Sequence, residues 1–281
     1  MRVRDRALDV DGVAAVMGIV NVTPDSFYER VGSVDAALAS ARSIVADGAA
    51  LIDLGGQSYA AGNGDVAAEE ERRRIVPVVE AIVAAELDAV LSLDTYTAAV
   101  ARAGLAAGAH LINDCSGLSD PALAATVAEF DAGLVVMHLK GRLKVREPEA
   151  YVYRDVMAEI IAFLHERTER AVAEGVRRDA IVVDPGLEFG KEPATDLEIL
   201  RRFGELSALG YPVLLAASRK SFLGRVVGRP AAELLPASLA AAAIGIAAGA
   251  RLVRTHDVAA TVQLAQLMAA VSGNSSATTV V

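Results

Sequence analysis

Short apolar runs rich in Val, Ile and Leu recur along the chain, and each ends on polar or turn-forming residues. Val16-Met-Gly-Ile-Val20 ends in Asn21, Ala50-Leu-Ile-Asp53-Leu54 in Gly55-Gly56, and Ala89-Val-Leu-Ser-Leu93 in Asp94. His110-Leu-Ile112 runs into Asn113-Asp114, Leu134-Val-Val-Met137 into His138, and Ile181-Val-Val183 into Asp184-Pro-Gly. Pro212–Ala217 and Arg251-Leu-Val253 lead to Ser218-Arg219-Lys220 and Arg254-Thr-His256-Asp257. Runs of this length and composition read as buried parallel strands that deliver polar groups to one rim of a sheet.

Between the runs, apolar positions recur at helical spacing. The helices expected are Val34–Asp47 (after Ser33 as N-cap), Val66–Ala85, Thr95–Ala107, Pro121–Phe130, Tyr151–Ala173, Thr195–Leu209, Ser221–Val227 with Ala231–Ala248, and His256–Val271. Three helix ends share a formula: Asp47-Gly-Ala-Ala-Leu-Ile-Asp53, Ala107-Gly-Ala-His-Leu-Ile-Asn113 and Ala248-Gly-Ala-Arg-Leu-Val-Arg254. Glycine ends each helix and a strand begins at once. Eight alternations with this internal repeat predict an α/β fold, a single-domain (β/α)8 TIM barrel over residues 1–271, with 272–281 a flexible tail. No Gly-x-Gly-x-x-Gly follows the first strand, which disfavours a dinucleotide fold.

Composition narrows the function. The chain has 281 residues, 53% hydrophobic, with no Trp and a net charge of −9. That charge argues against a nucleic-acid or anionic-membrane surface. The single cysteine, Cys115, excludes an intramolecular disulfide. The apolar run Val13–Val20 reads as a strand rather than a signal peptide. Leu234–Ala250 carries Pro236 and Gly245 and reads as a buried or interfacial helix, the candidate homodimer surface, rather than a membrane span. A soluble cytoplasmic protein is expected.

The strand ends bring together Asp94, Asn113 and Asp184 with Lys220, Arg254 and His256. Carboxylates beside an amide can pair with the amino and ring N–H edge of a flat heterocycle. The basic set suits a phosphate or diphosphate. Singly, each residue has a simpler reading: Asp94 as a helix cap, Asp184-Pro as a turn, Arg254 or His256 as surface partners of Asp257.

Met17-Gly-Ile-Val-Asn21-Val-Thr-Pro-Asp25-Ser-Phe27 resembles the first signature of the dihydropteroate synthase family. Leu93-Asp94-Thr95, Ile112-Asn113-Asp114, Asp184-Pro-Gly with Phe189-Gly-Lys191, Ser218-Arg-Lys220-Ser-Phe-Leu-Gly224 and Arg254-Thr-His256-Asp257 resemble its later signatures in order. The resemblance runs from about Val16 to Val258. It implies a TIM barrel, usually dimeric, that joins 6-hydroxymethyl-7,8-dihydropterin diphosphate to p-aminobenzoate or a related aromatic amine acceptor with release of pyrophosphate. It further implies that Asp94, Asn113, Asp184 and Lys220 grip the pterin, with Met137 lining its slot. Asn21 with Mg2+, Arg254 and His256 would hold the diphosphate, and Phe27, Phe189, Lys220 and Ser221 would border the acceptor. Asp94, Asp184 and Lys220 are the candidate catalytic groups.

Two loops depart from the family. After Phe27 it usually continues Ser-Asp-Gly-Gly, where this chain has Tyr28-Glu29-Arg30-Val31. After Gly55-Gly56 it usually reads Glu-Ser-Thr-Arg-Pro-Gly, where this chain has Gln57-Ser58-Tyr59-Ala60-Ala61-Gly62. The pterin half is therefore expected to be intact and the acceptor half altered, with Lys140, Arg142, Lys144 and Arg146 as candidate replacement charges. The alternative is a catalytically inactive pterin-binding paralogue.

Overall fold

In the computed structural model each of the eight apolar runs forms a strand, and all eight pair in parallel around a closed barrel. The structure describes residues 1–22, 33–59, 62, 64, 66–145, 147, 149 and 151–273. A two-stranded antiparallel hairpin comes first, β1 (Arg2–Val3) and β2 (Arg6–Ala7). The barrel strands are β3 (Ala15–Asn21), β4 (Leu51–Gly55), β5 (Val90–Asp94), β6 (Leu111–Asp114), β7 (Gly133–Met137), β8 (Ile181–Asp184), β9 (Val213–Leu215) and β10 (Ala250–Thr255). They neighbour one another in chain order, and β10 closes on β3.

The helices between them are α1 (Val34–Ala46), α2 (Ala68–Ala84), α3 (Ala98–Ala106), α4 (Leu123–Glu129), α5 (Val156–Ala173), α6 (Pro193–Arg201), α7 (Ser221–Val227), α8 (Leu235–Ala247) and α9 (Val258–Val271). Ser33 caps α1, its Oγ accepting from the Ala36 N–H at 3.2 Å. The repeated helix-end formula holds, since Gly48, Gly108 and Gly249 adopt φ of +95°, +115° and +106°. Several helices start elsewhere than the spacing predicts. α5 begins at Val156 because Asp155 accepts from the Met157 and Ala158 N–H groups. α6 begins at Pro193, whose ring suits a first helical turn, and the segment Phe203–Leu209 winds as a tighter 3-10 helix.

Side chains alternate across a strand, so the barrel interior stacks in layers. The lower layer is apolar: Met17, Leu51, Val90, Leu111, Val135, Val182, Leu214 and Leu252 form one buried cluster with Val3, Leu8 and Val10. The N-terminal segment thus plugs the barrel floor, which the charged start of the chain did not suggest. Arg4 secures it, donating to the Leu105 and Ala109 carbonyls at 2.8 and 2.6 Å at the end of α3. Two residues further along the same strands come Asp53, Ser92, Asn113, Met137, Asp184 and Arg254. One geometry gives a greasy bottom and a polar mouth.

Candidate active site

The mouth opens into a cavity of about 660 Å3. Asn21, Asp94, Asn113, Met137, Asp184, Phe189, Lys220, Ser221, Arg254 and His256 all line it. Every site residue expected from the sequence therefore meets in one place, except Phe27, which lies outside the described residues with Asp25 and Glu29.

Behind the cavity wall, bonded to Asn113 and Arg254, lies a carboxylate to which the sequence reading assigned no role. Asp53 is fully buried and accepts from Ser92 Oγ at 2.6 Å, Asn113 Nδ2 at 3.0 Å and Arg254 Nε at 2.6 Å. Arg254 also donates to Asp94 Oδ2 at 2.9 Å, so its guanidinium bridges two acids. Because Asn113 gives its Nδ2 to Asp53, its amide orientation is fixed. Asp94 Oδ1 is buried with no hydrogen-bond partner among the described residues. A buried acceptor of this kind is costly without a donor, which a ligand N–H would supply. Burial pushes the Asp94 carboxyl well above the usual carboxylate range, against the pull of Arg254.

Asp184 closes the opposite side. Its Oδ1 accepts from the Gly186 N–H at 2.6 Å, and burial raises its pKa while Lys220 opposes the rise. Gly186 is required here: at φ +66°, a Cβ would stand 2.0 Å from the His138 carbonyl. Lys220 donates to the Leu187 carbonyl at 2.6 Å and lies 5.1 Å from the Phe189 ring centroid. Burial lowers the Lys220 pKa. His256 Nδ1 lies 3.0 Å from Ser218 Oγ. Asp257 pairs with Arg219, at 2.9 and 2.5 Å, rather than with Arg254 or His256.

His138 does not line the cavity. Its ring packs edge-on against Phe163 at 4.9 Å, and Lys191 Nζ meets its Nδ1 at 2.9 Å. Burial, with Lys191 and Lys140 nearby, pushes its pKa down to about 2.

The altered loop after β4 is tied to the loop after β7. Gln57 Nε2 donates to Glu71 Oε2 at 2.8 Å, while Lys144 Nζ donates to Gln57 Oε1 at 2.7 Å and to the Gly64 carbonyl at 3.1 Å. Tyr59 donates to the Asp94 carbonyl at 3.1 Å and packs on Tyr96, centroids 5.8 Å apart. Of the basic loop, Lys144 is buried at the cavity wall. Lys140 pairs with Glu159 at 2.9 Å and Arg142 with Glu147 at 2.6 Å. Arg146, Ala60 and Ala61 lie outside the described residues.

Asp53 and Ser92 could have been found from the two-residue alternation, since they face the same way as Gly55 and Asp94. Lys144 belongs to the basic run and Gln57 to the altered loop already singled out in the sequence, whereas Glu188 carries no comparable local signal.

Among the described residues no three His, Cys, Asp or Glu side chains cluster as a metal site, and no helix is long and apolar enough to cross a membrane. Asn21 offers one hard oxygen donor at the mouth, beside Gly55.

Comparison with known proteins agrees with this geometry. The family described as pterin binding enzyme matches residues 17–256. "Inactive dihydropteroate synthase 2" of Mycobacterium leprae (strain TN) is 42% identical over 264 residues, covering 92% of this chain and 90% of that protein. The dihydropteroate synthase of Bacillus subtilis (strain 168) is 40% identical over 265 residues, covering 93% and 90%. A crystal structure of the Yersinia pestis dihydropteroate synthase with a sulfonamide drug superposes with a TM-score of 0.92 at 37% identity, covering 97% of this chain and 99% of that one. A TIM barrel whose strand ends converge on one polar mouth, and whose sequence matches over nearly its whole length, belongs to the pterin-binding enzyme family and is a homologue of dihydropteroate synthases.

Proposed function

We propose that the protein transfers a dihydropterin methylene from its diphosphate to an aromatic amine, p-aminobenzoate or a relative of it. The buried Asp94 Oδ1, left without a donor among the described residues beside the oriented Asn113 amide, carries this reading. A pterin's amino and ring N–H groups supply the donors these acceptors need. Asp94, Asn113, Asp184 and Lys220 would hold the heterocycle, with Met137 along its slot. Arg254 and His256 would face the diphosphate, and Phe189, Lys220 and Ser221 the acceptor.

In the transfer the methylene C–O bond breaks and pyrophosphate leaves with the bonding pair. The amine nitrogen then forms the C–N bond and gives up one proton. The mouth places a cation on one side of that step and carboxyl groups on the other. Arg254 faces the departing anion, while Asp94 and Asp184 sit where positive charge develops on the ring. The weakly basic amine needs alignment more than a strong base. Asn21 would hold Mg2+ through its hard amide oxygen, and the ion would neutralise leaving-group charge.

A second reading, a pterin-binding paralogue without turnover, draws on the altered loop after β4, where Gln57, Tyr59 and Lys144 build a wall of their own. We assign a homodimer through α8, where Ile244 is half exposed, and a cytoplasmic location. A monomer by light scattering would remove the first assignment.

The experiment is to incubate the protein with the pterin diphosphate and Mg2+, with and without p-aminobenzoate or a neutral arylamine, and measure pyrophosphate. Amine-dependent release with a pterin–amine adduct supports transfer. Tight pterin binding without release for any amine supports the paralogue.

A further inference from the structure

Glu188 stands at the acceptor end of the cavity in a conformation that side chains seldom adopt, with φ of +70°. Such a residue persists where its surroundings hold it. Its N–H donates to Asp196 Oδ1 at 2.8 Å. Its Oε1 accepts from Ser221 Oγ at 2.7 Å and from the Phe222 N–H at 2.8 Å. Lys220, the adjacent cation, is drawn to the Leu187 carbonyl next to it.

Ser221 Oγ and the Phe222 N–H form a donor pair on the wall that an acceptor would meet. An anionic acceptor would need such donors, and here an internal carboxylate holds both. The geometry points to Glu188 as a specificity residue that disfavours carboxylate-bearing acceptors and favours arylamines without an anionic group. This rests on the reading that Ser221 borders the acceptor.

A carboxylate brought to this wall must either displace Glu188 or lie against a like charge, and both are penalised. A neutral amide or an unsubstituted ring meets neither cost. Glu188→Gln keeps the length of the side chain and an oxygen for Ser221 and Phe222, and removes only the charge. Glu188→Gly removes the side chain altogether and suits the positive φ.

The test measures kcat/KM for pyrophosphate release with p-aminobenzoate and with its neutral isostere p-aminobenzamide. The wild type is expected to prefer the amide by about tenfold or more. Glu188→Gln and Glu188→Gly are expected to erase that preference, mainly through a lower KM for the acid. A wild type that uses the acid as well as the amide overturns the inference, as do variants that alter both substrates equally. If no amine supports release, the transfer reading fails on its own. Calorimetric titration of both amines into protein saturated with the pterin diphosphate then decides Glu188. The same shift in binding preference between wild type and variants upholds it, and no shift, or no binding by either protein, overturns it.

Discussion

Replacing Asp53 by alanine takes away the acceptor on which Ser92, Asn113 and Arg254 converge. The carboxylate is fully buried, so water cannot repair the loss. Breaking a buried ion pair from one side costs about 3–5 kcal/mol, because the remaining charge stays desolvated. Arg254 keeps its bond to Asp94, which places the expected cost at the lower end, about 3 kcal/mol. For 281 residues the unfolding entropy is about 0.6 kcal/mol per kelvin, so Tm should fall by about 5 °C. The Asn113 amide also loses its anchor, and pterin affinity should fall along with stability. Scanning calorimetry and titration with 6-hydroxymethylpterin measure the two effects. The network adds a sharper check: Arg254→Ala should cost less in the Asp53→Ala background than in the wild type. Additive losses, or a Tm within about 1 °C of wild type, would refute the idea that Asp53 holds the mouth together.

Arg254→Ala should weaken binding of the pterin diphosphate more than that of the free hydroxymethyl pterin, and equal losses by calorimetry would contradict its place beside the anion. Burial raises the Glu71 pKa from 4.5 to about 7, so the stability it contributes is full below 4.5 and lost as pH rises through 7. Glu71→Gln keeps an acceptor for Gln57 without the titration. It should match the wild type near pH 4 and exceed it at pH 8 by up to about 3 kcal/mol, and a pH-independent difference in denaturation midpoints would speak against this. Lys144→Met strands the Gln57 oxygen, for an expected loss of about 1–3 kcal/mol and a raised KM for the acceptor amine. An unchanged acceptor KM would confine Lys144 to a structural role.

Much of the mouth was legible because a parallel strand buried on both faces has only its end on which to place a charge. Asn113, Asp184 and Arg254 each follow an unbroken apolar run and Asp94 follows one interrupted only by Ser92, and their convergence follows from barrel closure. Asp53 was harder to see because it sits inside its run, followed by Leu54, and only the alternation of side chains turns it inward. The hairpin over Arg2–Ala7 is too short to leave a periodic signal. The bond between Glu188 and Ser221 joins the loop after β8 to the start of α7, 33 positions on, and no spacing rule reaches across them. The shift of α5 to Val156 has a local cause, since Asp155 caps more effectively than Tyr151 can.

The plug beneath the barrel also bears on how the chain assembles during translation. Val3 packs in the same buried cluster as Leu252, so residues made early find some of their contacts in a strand made much later. At the ribosome's pace of about 5–20 residues per second, that wait is on the order of 12–50 s. For that interval Val3, Leu8 and Val10 have no finished floor to cover. A chaperone that shields apolar N-terminal segments would thus have a longer period of use here than in a barrel whose floor is built from neighbouring strands alone.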